Sequence, residues 1–272
     1  MRILTLTDLH QNPVHFATLT RVCSEQAIDV VCLVGDFLDL GEARENLLST
    51  EEVIACLAAL PVKHLLFVRG NHEENNWYEF VEKWPHAMRP LIMLHGTSHV
   101  CDGLTIIGFP CNMGDSQPWL DTLPETGNIT TGDFPQKRKS FSSYEEWLPK
   151  LLLQTGSAGR TLWLMHQPPV TKGLCHPLEF DVDWTDAVER YKPLLVISGH
   201  SHEVPLINNQ WYVNHEGTIC VNAGQDTKTK YCIIEVALAN IPNVLPIAMS
   251  ITQFPEKQTI QIISKASLKN QK

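Results

Sequence analysis

No two cysteines in this chain stand as Cys-x-x-Cys, and no apolar run approaches the roughly 18 residues that a membrane helix needs. Positive charge is scarce too. Lys and Arg number 21 against 30 Asp and Glu, for a formal net charge of -9. A chain this acidic has no general attraction for a nucleic-acid backbone or an anionic membrane, so a long nucleic acid is not the expected partner. Bound cations reverse the sign locally, which leaves a small phosphorylated molecule, such as a nucleotide, as the expected substrate. The eight cysteines are scattered singly, several inside apolar runs such as Val-Val-Cys-Leu-Val around Cys32. They read as reduced, buried thiols rather than a disulfide framework or a thiolate zinc site. The opening Met-Arg-Ile-Leu-Thr-Leu-Thr lacks the apolar core and small-residue cleavage site of a secretory signal. The expected location is therefore the cytoplasm. Internal repeats, low-complexity tracts and obvious linkers are absent as well, and oligomeric state is not legible.

What is present is alternation. Arg2–Leu6, Val30–Val34, Lys63–Val68, Leu104–Gly108, Thr161–Met165 and Leu194–Ser198 read as buried strands. Between the first two, Val14, Leu19, Val22 and Cys23 recur at near-helical spacing after Asn12-Pro13. Between the next two, Glu51–Leu60 has a similar apolar face, with Thr50 as the expected cap. Strand, helix, strand in that order predicts βαβ units and an α/β fold. From about residue 204 onward strand-like runs follow one another with little helix, which predicts a second sheet packed on the first. One domain over 1–264 is expected, with a long loop or lid over 110–143 and a frayed tail over 265–272.

Short segments carrying metal-ligand side chains stand just past the ends of apolar runs. They are Thr7-Asp8-Leu9-His10, Gly35-Asp36-Phe37-Leu38-Asp39, Gly70-Asn71-His72-Glu73, Met165-His166 and Gly199-His200-Ser201-His202. In open α/β sheets the crevice outside the carboxyl ends of the strands is where ligands bind, so these segments are expected to converge there. Glycines at 35, 70 and 199 allow sharp turns and close approach in a crowded site. Imidazole, carboxylate and amide oxygen together suit Mn, Fe or Zn. Two such ions about 4 Å apart need a bridging ligand, and the carboxylate of Asp36 is the expected bridge. Taken singly, each residue also has an ordinary explanation as a turn, a cap or a strand-end histidine. The metal reading rests on the whole set. His15, His64, His86, His95, His99, His176 and His215 read as surface or partly buried side chains rather than ligands. Asn222-Ala223-Gly224 reads as a tight turn supporting the loop at His200.

The ordered pattern D-x-H, GD-x-x-D, GNH[D/E], a lone His, then GH-x-H resembles that of the calcineurin-like metallophosphoesterase family, over residues 8 to 202. It is also similar to that of class III cyclic-nucleotide phosphodiesterases. The resemblance implies a four-layer αββα sandwich of two mixed β-sheets flanked by helices. It implies two divalent or trivalent metal ions, one held by Asp8, His10, Asp36 and His202, the other by Asp36, Asn71, His166 and His200. His72 would donate a proton to the leaving group, with Asp39 orienting it, and Asn71 and His72 would also face the substrate. A hydroxide bridging the metals would attack phosphorus in line. Two arginines that clamp phosphate in the protein phosphatase branch are replaced by Leu40 and by Glu74-Asn75-Asn76. Their loss disfavours a monoester dianion and favours a phosphodiester. A phosphomonoesterase or nucleotide pyrophosphohydrolase is the alternative within the pattern, and a non-catalytic metal-binding scaffold the alternative outside it.

Overall fold

In a computed structural model, residues 1–39, 46–74, 77–109, 128–129, 144–155, 158–169, 173–176, 182–237 and 248–263 are described. The first half of the chain runs β1 (Arg2–Leu6), α1 (Pro13–Glu25), β2 (Val30–Val34), α2 (Thr50–Ala58), β3 (His64–Val68), α3 (Trp77–Lys83), β4 (Leu91–Met93), β5 (Thr97–Cys101) and β6 (Leu104–Gly108). It continues with β7 (Asn128–Ile129), α4 (Tyr144–Thr155), β8 (Thr161–Leu164), α5 (Val182–Tyr191), β9 (Leu195–Ser198), α6 (Val204–Asn208), β10 (Tyr212–His215) and β11 (Thr218–Asn222). Three antiparallel strands close it: β12 (Tyr231–Ala237), β13 (Ala248–Phe254) and β14 (Gln258–Ile263).

Two mixed sheets result, with strand orders β14-β13-β12-β1-β2-β3-β4-β7 and β10-β11-β9-β8-β6-β5. Period-2 alternation sorts each strand between faces. In β2, Val31 and Leu33 pack outward with Phe16 and Leu19 of α1 and Val53 and Leu57 of α2, while Val30, Cys32 and Val34 point into the space between the sheets. In β8, Leu162 and Leu164 fill that inner layer, and Trp163 turns out to Leu148 of α4 and Trp184 of α5. Helix, sheet, sheet, helix is thus the layering, as the family resemblance implied.

Three local expectations shift. The closing strands divide between the sheets: β10 and β11 join the second, whereas β12–β14 extend the first from β1. The second sheet also takes β6, β8 and β9, read along the chain as a continuation of the first βαβ series. A strand's own residues report that it is buried on both faces and not which sheet it joins. Val14 is not on the buried face of α1; it is 53% exposed, and His15 and Phe16 turn inward instead. The cap of α2 is Ser49 rather than Thr50. Its hydroxyl accepts from the Glu52 N–H while the Glu52 carboxylate accepts from the Ser49 N–H. The segments expected as a lid and a tail lie outside the described residues, except that β7 pairs with β4 at a sheet edge. Among the described residues no helix is long and apolar enough to cross a membrane.

Candidate metal centre

Parallel strands end together, and the segments that follow them meet in one crevice. The loops after β1 and β2 are zipped by backbone bonds: the N–H groups of Asp8, His10 and Gln11 donate to the carbonyls of Gly35, Asp36 and Phe37 at 3.0, 2.8 and 3.1 Å. Reaching those partners requires left-handed backbone at Asp8, His10, Gln11 and Asp36, with φ of +54°, +44°, +54° and +52°; His200 has +65°. Each such residue costs about 1–2 kcal/mol in an L-amino acid, and non-glycine residues in this region concentrate at functional sites. Gly35 permits a close approach to His166. A Cβ there would stand 2.2 Å from Nδ1 of His166.

Asp36 lies at the centre. Its Oδ2 is 3.2 Å from Nε2 of His166, and its Oδ1 accepts the His72 N–H at 2.8 Å. His166 is fully buried, and its Nδ1 donates to the carbonyl of Val34 at 2.9 Å. That bond fixes the ring and leaves Nε2 facing the cluster, 3.1 Å from Oδ1 of Asn71. Oδ1 of Asn71 is also 3.0 Å from Nδ1 of His200. Asp8 accepts the Thr7 hydroxyl at 2.7 Å and the His200 N–H at 3.1 Å. The donor atoms of Asp8, His10 and Asp36 lie within 4.8 Å of one another, as do those of Asp36, His166 and His200. Asp36 belongs to both groups. A third group joins His10, Asp39 and His72, in which Oδ1 of Asp39 is 2.9 Å from Nδ1 of His72.

His202 stands apart from these groups. It lines the same crevice with its ring 5.8 Å from that of His10, and its Nδ1 is 3.1 Å from Glu203. The remaining residues expected at the site are brought together. The crevice is a cavity of about 400 Å³ that also takes in Asn12, His15, Leu47, Gln225 and Asp226. His15, read as an ordinary histidine, is buried with Nδ1 2.9 Å from the Thr229 hydroxyl. The turn at Asn222 supports the loop as expected: its amide donates to the carbonyls of Gly199 and Ser201, both at 3.1 Å.

Two partners were not given roles by the sequence. Glu73 is completely buried and accepts the backbone N–H groups of Asp36, Leu38 and Gly70 at 2.9, 2.9 and 2.6 Å. It therefore holds the loop that presents Asp36. The only sign of it was its place as the last letter of Gly-Asn-His-Glu. Gln11 accepts the Asp39 N–H at 2.9 Å and donates to the Leu48 carbonyl, tying the two loops further. Nothing in its local sequence marks it.

Charges are crowded here in a way that suits cations. Burial, with Asp36 adding to it, raises the carboxyl of Asp8 to about 6. Burial and then Asp36 raise Glu73 to about 7. Burial lowers His10 to about 4. At His166 burial favours the neutral ring, but Asp36 and Asp8 outweigh it and push the pKa up to about 10. Burial opposes ionisation of Asp36 too, yet His166 holds it well below the usual carboxylate range. Clustered acids thus draw a proton onto His166, and that nitrogen is where a metal ion would compete. The donor set fits borderline divalent ions. A group whose folded pKa is raised stabilises the fold below its unfolded value and loses that stability as pH climbs. The chelator-treated chain should therefore lose stability as pH rises from about 6.5 to about 10 through His166. Adding metal should flatten the dependence. Urea unfolding across that window with and without Mn checks both, and a stability that rises with pH in chelator contradicts the assignment.

Comparison with known proteins supplies the family. No curated protein matches the chain in sequence. Among solved structures it is similar to a dimetal phosphatase from Danio rerio, at TM-score 0.61 and 12% identity, over 97% of this chain and 98% of that one. It is similar to TT1561 of Thermus thermophilus at TM-score 0.56 and 12% identity, over 96% and 97%. GAP50, described as the anchor in the inner membrane complex of Plasmodium, aligns at TM-score 0.53 and 11% identity, over 97% and 89%. Those likenesses show the fold. One fold carries both a phosphatase and an anchor, so function has to be argued from the residues of the site. The family model for calcineurin-like phosphoesterases matches residues 1–204, three quarters of the chain, and this chain belongs to that family.

Proposed function

We propose that the chain hydrolyses a phosphodiester with a dinuclear metal centre. The observation that carries the proposal is the sharing of Asp36 between two donor groups, one with Asp8 and His10 and one with His166 and His200. Asn71 would complete the second group, and His202, from the rim, the first. Two bound cations would acidify a water to act as nucleophile and would offset charge building on the phosphoryl oxygens.

The chain's own side chains do the rest. Asp39 accepts the Nδ1 hydrogen of His72 and turns its Nε2 toward the crevice, 4.0 Å from Oδ2 of Asp36. A hydrogen on that nitrogen can pass to the leaving oxygen. His72→Ala should accordingly leave bound metal near normal and lower turnover by about 10²–10⁴-fold. Metal analysis and steady-state kinetics on one preparation test this; loss of metal in the variant would make His72 a ligand instead.

The described residues lining the cavity include neither Lys nor Arg, while Asp226 and Asp39 are among them. Such a wall is better suited to the single charge of a diester than to a monoester dianion. The volume lies within the roughly 300–1,000 Å³ of small-ligand pockets, which fits a substrate of nucleotide size. The test compares bis-p-nitrophenyl phosphate with p-nitrophenyl phosphate in Mn. We expect kcat/KM to favour the diester by about tenfold or more, equivalent to about 1.4 kcal/mol. A preference for the monoester would overturn the diester reading and leave the metal centre standing.

A further inference from the structure

We propose that His64, His99 and Cys101 form a separate, mononuclear site for a zinc-type ion, at the end of the sandwich away from the crevice. His64 opens β3, whose other end leads to Asn71. His99 and Cys101 lie on β5, and Cys101 pairs with Leu104 at the start of β6, so the two strands are met at their far ends. Alternation places the three side chains on facing surfaces. His64 shares its side of β3 with Leu66 and Val68, which fill the inner layer, and Cys101, two residues from His99, is itself part of that layer. The site therefore bridges the two sheets at the rim of the core between them.

The geometry is that of converging ligands. The donor atoms of the three residues lie within 4.8 Å of one another. Nε2 of His99 is 3.2 Å from Nδ1 of His64. Tetrahedral zinc with Zn–N near 2.0–2.1 Å sets two nitrogens about 3.3 Å apart. A hydrogen bond between two imidazoles gives the same separation, so the thiol beside the pair is what distinguishes a metal site from a paired histidine. Cys101 is fully buried and reduced, while both histidines are partly exposed. Access is thus from the solvent side, and a water can complete the coordination. One sulfur with two imidazoles favours zinc-class or soft ions over Mg or Ca. The oxygen and nitrogen donors proposed for the crevice contain no sulfur, so the two sites differ in kind.

That difference supplies the test. The full chain, stripped by chelator and kept reduced, is titrated with Co(II) alone. Only a thiolate ligand produces sulfur-to-cobalt absorption in the near ultraviolet. We expect this band to saturate at about one equivalent, within a total uptake of about three ions per chain. Cys101→Ser should abolish the band, reduce uptake to about two, and leave hydrolysis of bis-p-nitrophenyl phosphate unchanged. Cys101 is buried, so His99→Gln at a partly exposed position serves as the second variant. It should weaken the band's cobalt affinity at least about tenfold. No band in the unaltered chain would mean that the histidines are merely hydrogen-bonded to each other. A band that survives Cys101→Ser would assign the ion to another cysteine, and one that His99→Gln leaves untouched would remove His99 from the site. Each of these outcomes overturns the proposal.

Discussion

Asp36→Asn is expected to lower metal-dependent hydrolysis by more than about 100-fold, and Asp39→Asn by about 10–100-fold, the range typical of groups that orient a ligand or a catalytic side chain from behind. The two positions are three residues apart on one loop and both buried, so the contrast isolates what each carboxylate touches. Asp36 faces His166 and belongs to both donor groups, whereas Asp39 faces His72 and His10. An asparagine at 36 keeps the size and one oxygen that can accept the His72 N–H, but it removes the charge two cations would share. Asp39→Asn keeps every proposed metal donor and loosens chiefly the hold on His72, with a weaker effect on His10. Metal content by elemental analysis, read beside kcat at saturating Mn, separates the cases. Equal and mild losses in the two variants would rule out Asp36 as the shared ligand.

A second large effect is expected at Glu73, read in stability. Its carboxylate takes the backbone hydrogens of Asp36, Leu38 and Gly70 in a place with no exposure to water. Each buried N–H left without an acceptor costs about 1–3 kcal/mol. Glu73→Ala should therefore lose about 3 kcal/mol or more, a large share of the roughly 5–15 kcal/mol by which a domain is stable. Glu73→Gln is the graded control. Its single oxygen can still take the N–H groups of Asp36 and Gly70, but its amide would meet the Leu38 N–H donor to donor. A loss of about 1–3 kcal/mol is expected there. Urea unfolding in chelator keeps metal loss out of the measurement. Two variants within about 0.5 kcal/mol of the original chain would show that Glu73 does not hold this loop.

The convergence of the candidate residues was legible because they are punctuated along the chain. Asp, His and Asn stand immediately after apolar strands, and the strand-end rule then places them together without any contact being known. Legibility failed where the deciding interaction is through backbone. Glu73 and Gln11 act on N–H groups, which every residue offers, so no side-chain pattern announces their partners. The left-handed turns at Asp8, His10, Gln11 and Asp36 were hidden for a related reason: unlike glycine, these residues do not advertise positive φ. Sheet membership failed for a third reason. β12 reads like β11, yet one pairs with β1 and the other with β9. That choice is made by chain reversal and long-range pairing. His64 and His99 looked ordinary because they are 35 positions apart and on different sheets. Only their packing brings them beside Cys101.

The division of donors between layers has a consequence for assembly. Asp8, Asp36 and Asn71 follow strands of one sheet, while His166, His200 and His202 follow strands of the other. With the proposed ligands neither layer would hold a full coordination shell, so ion uptake and the mating of the layers would form a single equilibrium. A polypeptide truncated before β8 would keep three carboxylate and amide donors with one imidazole, and excess metal would not rescue it. In the intact chain each ion held by that ligand set would rivet the interface shut, and chelation would work as a mild denaturant aimed at that seam.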